Sequence, residues 1–166
     1  MRKILLISDT HGFFDERLRK HIADADEIWH AGDIGSAELL DELTALKPIK
    51  AVYGNIDGQQ IRKDCAETLI FDCELVKVCI THIGGYPGKY PARIRKMLIE
   101  EQPALFICGH SHILKVIYDK ELQHLHINPG ACGVQGFHQF CTAVRFAIEG
   151  KTIKDLSVIE LGRRAG

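Results

Sequence analysis

Five short apolar runs in this chain each give way to a loop that carries at least one residue of a metal-binding type. The runs, written with their loops, are KILLISDTH, EIWHAGDI, IKAVYGN, KVCITH and LFICGHSH. Short apolar runs closed by loops are typical of buried strands. In an open sheet the carboxyl ends of neighbouring strands face one crevice. The pattern therefore predicts a sheet that brings side chains from distant parts of the sequence to one point.

Seven potential metal ligands lie in these loops. They are Asp9, His11, Asp33, Asn55, His82, His110 and His112. Three oxygen donors and four imidazoles are more than one ion needs, and a mixed oxygen and nitrogen set suits Mn²⁺, Ni²⁺, Zn²⁺, Fe²⁺ or Co²⁺. The set predicts two divalent transition-metal ions as cofactors, with Mn²⁺ favoured.

Length and composition restrict the class of protein. A chain of 166 residues is expected to form a single domain over residues 1–166. A net charge of −1 gives no basic surface that would indicate nucleic acid as a partner. The apolar start is too short for a signal peptide and no run approaches a membrane span, so we expect no membrane partner. Six cysteines without a C-x-x-C pair are expected to be reduced thiols in a cytoplasmic protein.

The first third of the chain alternates strand and helix patterns. KILLIS, EIWH and IKAVYG read as strands, and FFDERLRKHIADA and SAELLDELTAL read as the helices between them, the second with Ser36 as its N-cap. This order predicts a parallel sheet with right-handed crossovers.

The remainder is richer in strands. TLIFD and LVKVCIT read as a hairpin around a Cys73–Glu74 turn, and a helix is predicted from Ala92 to Glu101. ALFIC, ILKVIYD, LQHLHIN, CTAVRFAIE and TIKDLSVIEL are further strand candidates. We expect two packed sheets with helices outside them.

The ligand-bearing blocks resemble those of the calcineurin-like metallophosphoesterase superfamily. The blocks are Asp9-x-His11, Gly32-Asp33, Gly54-Asn55, the lone His82, and Gly109-His110-Ser111-His112. The short length and the Asn128-Pro129-Gly130 turn resemble its small bacterial and archaeal phosphodiesterase branch. One block alone is unspecific, but all five in order at strand ends, from residue 3 to about residue 160, are specific. The resemblance implies a four-layer α/β/β/α sandwich of two mixed sheets flanked by helices.

The resemblance also implies a function and a division of the ligands. Asp9, His11 and His112 would hold one metal, Asn55, His82 and His110 the other, and Asp33 would bridge both. The implied activity is metal-dependent hydrolysis of a small phosphoester, a phosphodiester first, by a hydroxide between the two ions. Asp33, Asn55 and His82 are then expected to serve catalysis as well as metal binding.

Each ligand also has an ordinary explanation as a cap, turn or loop residue, and their conjunction favours the metal site. Two positions depart from the family pattern: Ile56 stands where many members have a histidine, and Ile83-Gly84-Gly85 lacks a second one. The alternative function is a weakly catalytic or non-catalytic protein-interaction scaffold, as in the retromer subunit with this fold.

Other polar residues allow two interpretations each. His30 either orients a ligand from behind or belongs to the core, while His21 and His138 are predicted at the surface. His124 and His126 share one strand face, predicted to be solvated, with a homodimer contact or the cleft rim as alternatives. Candidate substrate contacts, which could equally be a solvated helix start, are Tyr86, Lys89, Tyr90 and Arg93.

Overall fold

A computed structural model describes residues 1–164, so the last two residues of the predicted domain over residues 1–166 lie outside the described residues. Its strands are β1 (Arg2–Ile7), β2 (Glu27–His30), β3 (Ile49–Ala51), β4 (Thr68–Cys73), β5 (Val76–Thr81), β6 (Leu105–Ile107), β7 (Leu114–Asp119), β8 (His124–Pro129), β9 (Phe140–Glu149) and β10 (Thr152–Arg163). Its α-helices are α1 (Arg19–Asp24), α2 (Ala37–Leu46), α3 (Gln59–Asp64) and α4 (Ala92–Glu101), and a 3₁₀ turn (Glu16–Leu18) precedes α1.

The strands form two mixed five-stranded sheets. The first has the order β10-β9-β1-β2-β3, in which β1, β2 and β3 are parallel and β9 and β10 antiparallel. The second has the order β4-β5-β6-β8-β7, in which β5, β6 and β8 are parallel. The predicted βαβαβ opening and the predicted mixed sheets are confirmed.

Three apolar clusters separate four layers. Strand β1 is buried on both faces: Leu5 and Ile7 face one cluster, and Ile4 and Leu6 face another. The first cluster joins this sheet to α1, α2 and α3, and the second fills the space between the two sheets. The third packs α4 on the outer face of the second sheet through Phe106. The α/β/β/α sandwich implied by the resemblance is therefore present.

Local differences from the predicted elements have local causes. The first predicted helix is interrupted, because Asp15 caps a 3₁₀ turn by accepting from the Arg17 amide, and α1 begins only at Arg19. Helix α3 was not predicted, since its six residues are too few for a periodic pattern. The hairpin turn lies one residue later than predicted, at Glu74–Leu75, with Glu74 in the left-handed region.

The prediction of a solvated face for His124 and His126 is wrong. Their exposed fractions are 1% and 0%. The Tyr90 hydroxyl covers both imidazoles, 2.9 Å from His124 Nε2 and 3.4 Å from His126 Nδ1. The loop before α4 therefore closes over this strand face, and neither histidine is available for a dimer contact or a cleft rim.

The six cysteines are all buried and free. Among residues 1–164, no helix combines the length and the apolar character needed to cross a membrane.

Candidate metal centre

The seven candidate ligands follow the carboxyl ends of strands in both sheets. Asp9 and His11 follow β1, Asp33 follows β2, and Asn55 lies beyond β3 in the first sheet. His82 follows β5, and the His110–His112 loop follows β6, in the second sheet. Strand ends of two packed sheets thus meet at one place, as the sequence pattern predicts.

Two groups of three ligand side chains are close enough to hold an ion each. In each group the ligand atoms all lie within 4.8 Å of one another; the groups are Asp9, His11 and His112, and Asp33, His82 and His110. In the first, His112 Nε2 is 3.3 Å from Asp9 Oδ1. In the second, His82 Nε2 is 3.2 Å from Asp33 Oδ2. Asn55 lies beside the second group, since its Oδ1 is 3.0 Å from His110 Nδ1.

The Asp33 carboxylate lies between the two groups. Its Oδ2 is 3.2 Å from His82 Nε2 and 3.6 Å from His11 Nε2, which belong to different groups. A carboxylate has two oxygens and a negative charge, which suits it to a position between two cations. Asp33 is thus close to a ligand atom of each group, while Asp9 Oδ1, 3.8 Å from His82 Nε2, also approaches the second group, and the bridging role of Asp33 stays a prediction.

The ligand atoms fit metal ions because several of them are buried without a hydrogen-bond partner. These atoms are Asp9 Oδ1, His11 Nε2 and His82 Nε2. A buried polar atom left unpaired costs about 1–3 kcal/mol, and native proteins contain few of them. All three belong to the two groups, so cations bound there would satisfy them together.

Most of the ligands have an unusual backbone conformation. Positive φ values occur at Asp9 (54°), His11 (48°), Asp33 (56°), His110 (70°) and His112 (62°). Only a few per cent of non-glycine residues have positive φ, and such strain collects at functional sites. These kinks turn both i, i+2 pairs away from a strand-like arrangement, and they send His110 and His112 to different groups.

Comparison with known proteins identifies the family. The family profile described as "Calcineurin-like phosphoesterase superfamily domain" matches residues 2–151. The chain belongs to this superfamily. A probable metallophosphoesterase of Methanothermobacter thermautotrophicus is 29% identical, with 76% of this chain and 74% of that protein covered. One of Methanocaldococcus jannaschii is 31% identical, with 76% and 66% covered.

Solved structures of other proteins share the fold. A structure described as a novel archaeal phosphodiesterase is 25% identical, has a TM-score of 0.73, and covers 95% of this chain and 99% of that chain. Vps29 of Chaetomium thermophilum is 12% identical, has a TM-score of 0.77, and covers 99% of this chain and 100% of that chain. At such an identity the second likeness shows the fold alone.

Hydrogen bonds behind the ligands fix their orientation in this phosphoesterase domain. His82 Nδ1 lies 2.7 Å from the Ala31 carbonyl, to which it donates, so its Nε2 is left free for a metal. Asp9 Oδ2 accepts from Ser8 Oγ at 2.7 Å and from the His110 amide at 3.1 Å, while Oδ1 has no hydrogen-bond partner.

His30 lies behind the ligands rather than among them. Its Nδ1 accepts from the Gly32 amide at 3.1 Å, so Nε2 donates to Thr10 Oγ1 at 2.9 Å. Thr10 in turn donates to the Ile34 carbonyl. Burial lowers the pKa of His30 to about 4, so it is neutral at physiological pH. His30 therefore ties the Asp9 loop to the Asp33 loop. Of its two interpretations, these contacts favour the one in which it orients the ligands from behind.

Asp57 and Asn128 support the site, although the sequence did not identify them as site residues. The buried Asp57 carboxylate accepts from the amides of Ile34 (3.1 Å), Gly35 (2.9 Å) and Gly54 (2.8 Å), and so joins the Asp33 loop to the Asn55 loop. Asn128 Nδ2 donates to the Gly109 carbonyl at 3.0 Å and holds the histidine loop. The feature of the sequence that could have identified Asp57 is its position two residues after the candidate ligand Asn55.

Both aspartate ligands are ionised. Burial alone would raise the pKa of Asp9, but the nearby imidazoles of His112 and His82, together with Ser8, outweigh it and the pKa is lowered. The same holds for Asp33, whose pKa burial would raise and the imidazole of His82 lowers. The carboxylates counter the desolvation of His82, whose pKa is raised. The two ionised carboxylates suit the centre to cations.

The remaining predicted residues divide between surface and core. His138, predicted at the surface, is half-buried with its ring 5.1 Å from that of His112. His21 is half-buried on α1. Among the candidate substrate contacts, Tyr90 is bound to the core histidines, and Arg93 is paired with Glu67 at 3.2 Å.

Proposed function

We propose that this chain hydrolyses phosphoesters, phosphodiesters first, with two divalent transition-metal ions at the centre described above. The observation that carries the proposal is the convergence of three unpartnered ligand atoms, from Asp9, His11 and His82. The two imidazole nitrogens lie within 3.6 Å of Asp33 Oδ2 and within 4.0 Å of Asp9 Oδ1. Membership of the phosphoesterase superfamily and the 25% identical archaeal phosphodiesterase support it.

The two ions would have separate ligands and one shared ligand. Asp9, His11 and His112 would hold the first, Asn55, His82 and His110 the second, and Asp33 both. Bound divalent ions supply Lewis acidity and lower the pKa of water to the physiological range. Mn²⁺ is the first candidate, and Ni²⁺, Zn²⁺, Fe²⁺ and Co²⁺ also suit this donor set.

The protein residues set the charge of the centre. Asp9 and Asp33 are anionic, whereas Asn55 is uncharged and an imidazole binds a metal in its neutral form, so neither adds charge. Two dications with only two carboxylates would keep an excess of positive charge, which attracts the phosphate group of a substrate. The buried hydrogen bond from His82 to the Ala31 carbonyl holds that ligand in place without adding a further charge to the centre.

The proposed preference for diesters rests on how the arginine side chains near the centre are paired. Arg93, which lines the cleft beside Asn55 and His82, is paired with Glu67. Arg62 in the same cleft donates to the Asp57 carbonyl and covers the Tyr53 ring. A monoester dianion would gain from a further free cation, whereas a diester monoanion is matched by the metals alone.

The Vps29 neighbours leave a protein-interaction scaffold as the alternative function. A scaffold has no need for buried, unpartnered ligand atoms, because each one costs stability unless a cation satisfies it. The completeness of the ligand set therefore favours the enzyme.

The deciding experiment combines metal analysis with activity. The protein is stripped with a chelator, and Mn²⁺, Ni²⁺, Zn²⁺ or Mg²⁺ is then added back with bis(p-nitrophenyl) phosphate or p-nitrophenyl phosphate as substrate. We expect two ions per chain and faster release of p-nitrophenol from the diester. Asp33→Asn should abolish this activity, and His21→Ala on α1 is the matched control. Full binding of two ions without hydrolysis of either ester would favour the scaffold.

A further inference from the structure

Exposed apolar residues belong to, or lie against, the loops that carry the candidate ligands. Phe13 (40% exposed), Ile56 (49%), Ile83 (44%), Ile113 (59%) and Phe137 (102%) form this group, here termed the apolar rim. Each lies within two residues of a candidate ligand or next to a residue that touches one. Surface apolar residues scattered singly are ordinary, but a group of them around a cleft marks a binding site.

Backbone contacts place the first part of the apolar rim at the centre. Ile56 follows Asn55, and its amide donates to Asp33 Oδ1 at 3.1 Å. Ile83 follows His82 and lines, with Asn55 and His82, a cavity of about 200 Å³. Ile83 therefore lies beside the ligands of the second group, and the Ile56 backbone contacts the Asp33 carboxylate of that group.

The rest of the apolar rim lies beside the first group. Ile113 directly follows His112, and the Phe13 amide donates to the Thr10 carbonyl in the loop of Asp9 and His11. Phe137 follows Gly136, whose Cα approaches the His112 ring so closely that a side chain there would collide with it. The apolar rim thus borders both groups of ligands.

The charges near the centre limit which substrates the apolar rim suits. Arg93 in the adjoining cleft forms a surface pair with Glu67, and Arg62 donates its Nε to the Asp57 carbonyl. Lys115 lies over the Tyr86 ring, 5.2 Å from its centroid. A substrate with several phosphates would need cations beyond the metals, whereas an apolar or aromatic group would find matching surface.

We propose that the apolar rim binds an uncharged apolar or aryl ester group of the substrate. The substrate class is then a phosphodiester whose non-reacting ester group is apolar, rather than a nucleotide with several phosphates. This inference rests on the proposed phosphoesterase function and adds the substrate class of the same site.

The test holds the leaving group constant and varies only the other ester group. Phenyl p-nitrophenyl phosphate and methyl p-nitrophenyl phosphate release the same phenol, so a difference in kcat/KM reports the non-reacting group. We expect the phenyl ester to be favoured by about tenfold, a typical value for a small apolar contact. In Ile83→Ser/Phe137→Ser the ratio should fall to about two. Leu75→Ser, at a 69% exposed turn position between β4 and β5, is the matched control and should keep the wild-type ratio.

A binding measurement separates substrate recognition from chemistry. Phenylphosphonate and methylphosphonate, titrated calorimetrically into the metal-loaded protein, should differ in affinity by a similar factor in wild type and much less in the double variant. Unchanged metal content and Tm in the variant would show that the fold and the ligands are intact.

The outcomes distinguish failure of this inference from failure of the proposed phosphoesterase function on which it rests. Hydrolysis of both esters with equal kcat/KM would overturn the inference and leave the phosphoesterase function standing. A lower oligomeric state of the double variant in sedimentation, with its ester preference kept, would also overturn it, because the apolar rim would then join two copies of the chain. No hydrolysis and no phosphonate binding with metals present would overturn both.

Discussion

Nε2 of His82 lies 3.2 Å from Oδ2 of Asp33, and this contact joins the two sheets. Asp33 follows β2 in the first sheet and His82 follows β5 in the second. His82 Nε2 has no hydrogen-bond partner, so the contact brings together two ligand atoms rather than forming a bond of its own. Binding of metal at this place would fasten one half of the sandwich to the other.

Metal removal should therefore lower thermal stability. A metal present at a hundred times its dissociation constant contributes about 2.7 kcal/mol, which corresponds to about 5–10 °C in Tm for a chain of this size. We expect a shift of this size when chelator is compared with added Mn²⁺ in differential scanning calorimetry. Asp33→Asn should show a much smaller difference. Equal Tm values of the wild type with and without metal would contradict the proposed centre.

Substitution of Gly54 tests whether metal binding depends on the position of the Asp33 carboxylate. A methyl group at Gly54 would collide with the Asp33 carboxylate, whereas one at Gly58 meets no atom within 4 Å. Neither glycine has a positive φ, so the two substitutions differ in the space around them rather than in backbone strain.

We predict that Gly54→Ala lowers Mn²⁺ affinity by about 10–100-fold, as changes behind metal ligands commonly do. Gly58→Ala should bind Mn²⁺ like the wild type. Calorimetric titration of the metal-free proteins measures both. Wild-type affinity in Gly54→Ala would mean that the Asp33 carboxylate is not held where the structure places it.

The sequence predicted the strand ends well because each apolar run reflects burial on both faces of a strand. Ile4 and Leu6 face the other sheet while Leu5 and Ile7 face the helices, so the run at β1 is uniformly apolar. The position of the candidate ligands follows from these strand ends. That part of the site was readable because it depends only on local pattern and on sheet geometry.

Other features depend on contacts between distant segments and were not readable. The burial of His126 results from Tyr90, 36 residues away in sequence, whose loop closes over the strand. The left-handed backbone at Asp9 and His110 is imposed by packing of loops, because neither residue type requires it. Asp57 looks like a turn residue until its three amide partners are seen.

The buried His126 should make stability sensitive to acid. Burial lowers its pKa to about 4, with the charges of His124 and Lys115 adding to the effect. An unfolded chain binds a proton at this histidine near its ordinary pKa of about 6.5, whereas the folded chain does not until about pH 4. The unfolded state therefore binds more protons in this window, and stability falls as the pH is lowered through it.

We expect His126 to account for about 3 kcal/mol of lost unfolding free energy between pH 6.5 and 4. His126→Gln should show a flatter dependence on pH in urea unfolding, whatever its stability at neutral pH. His21→Gln, at a half-buried position on α1, should keep nearly the wild-type slope. Parallel curves for the wild type and His126→Gln would contradict the prediction.

Ile56 stands at the position where a proton donor for the leaving group is expected. Its side chain is 49% exposed, and its amide donates to the Asp33 carboxylate. An alkyl side chain cannot protonate a leaving oxygen, so the leaving group must depart with its own negative charge. The rate should then depend steeply on leaving-group pKa, with aryl diesters cleaved far faster than alkyl diesters.

Ile56→His should flatten this dependence by helping poor leaving groups, since only they need the proton. General acids commonly contribute about 10²–10⁴-fold, but the Asp57 carboxylate is buried and already accepts three amides, so it is poorly placed to orient the new imidazole. We therefore expect a gain of about tenfold for alkyl leaving groups and little for p-nitrophenol. The gain should vanish above about pH 7, where an ordinary histidine is neutral.

The measurement is kcat/KM against leaving-group pKa for both proteins, with Ile56→Asn as the control that is polar but cannot donate as an acid. A flat dependence in the wild type, under conditions where chemistry limits the rate, would show that another group already supplies the proton.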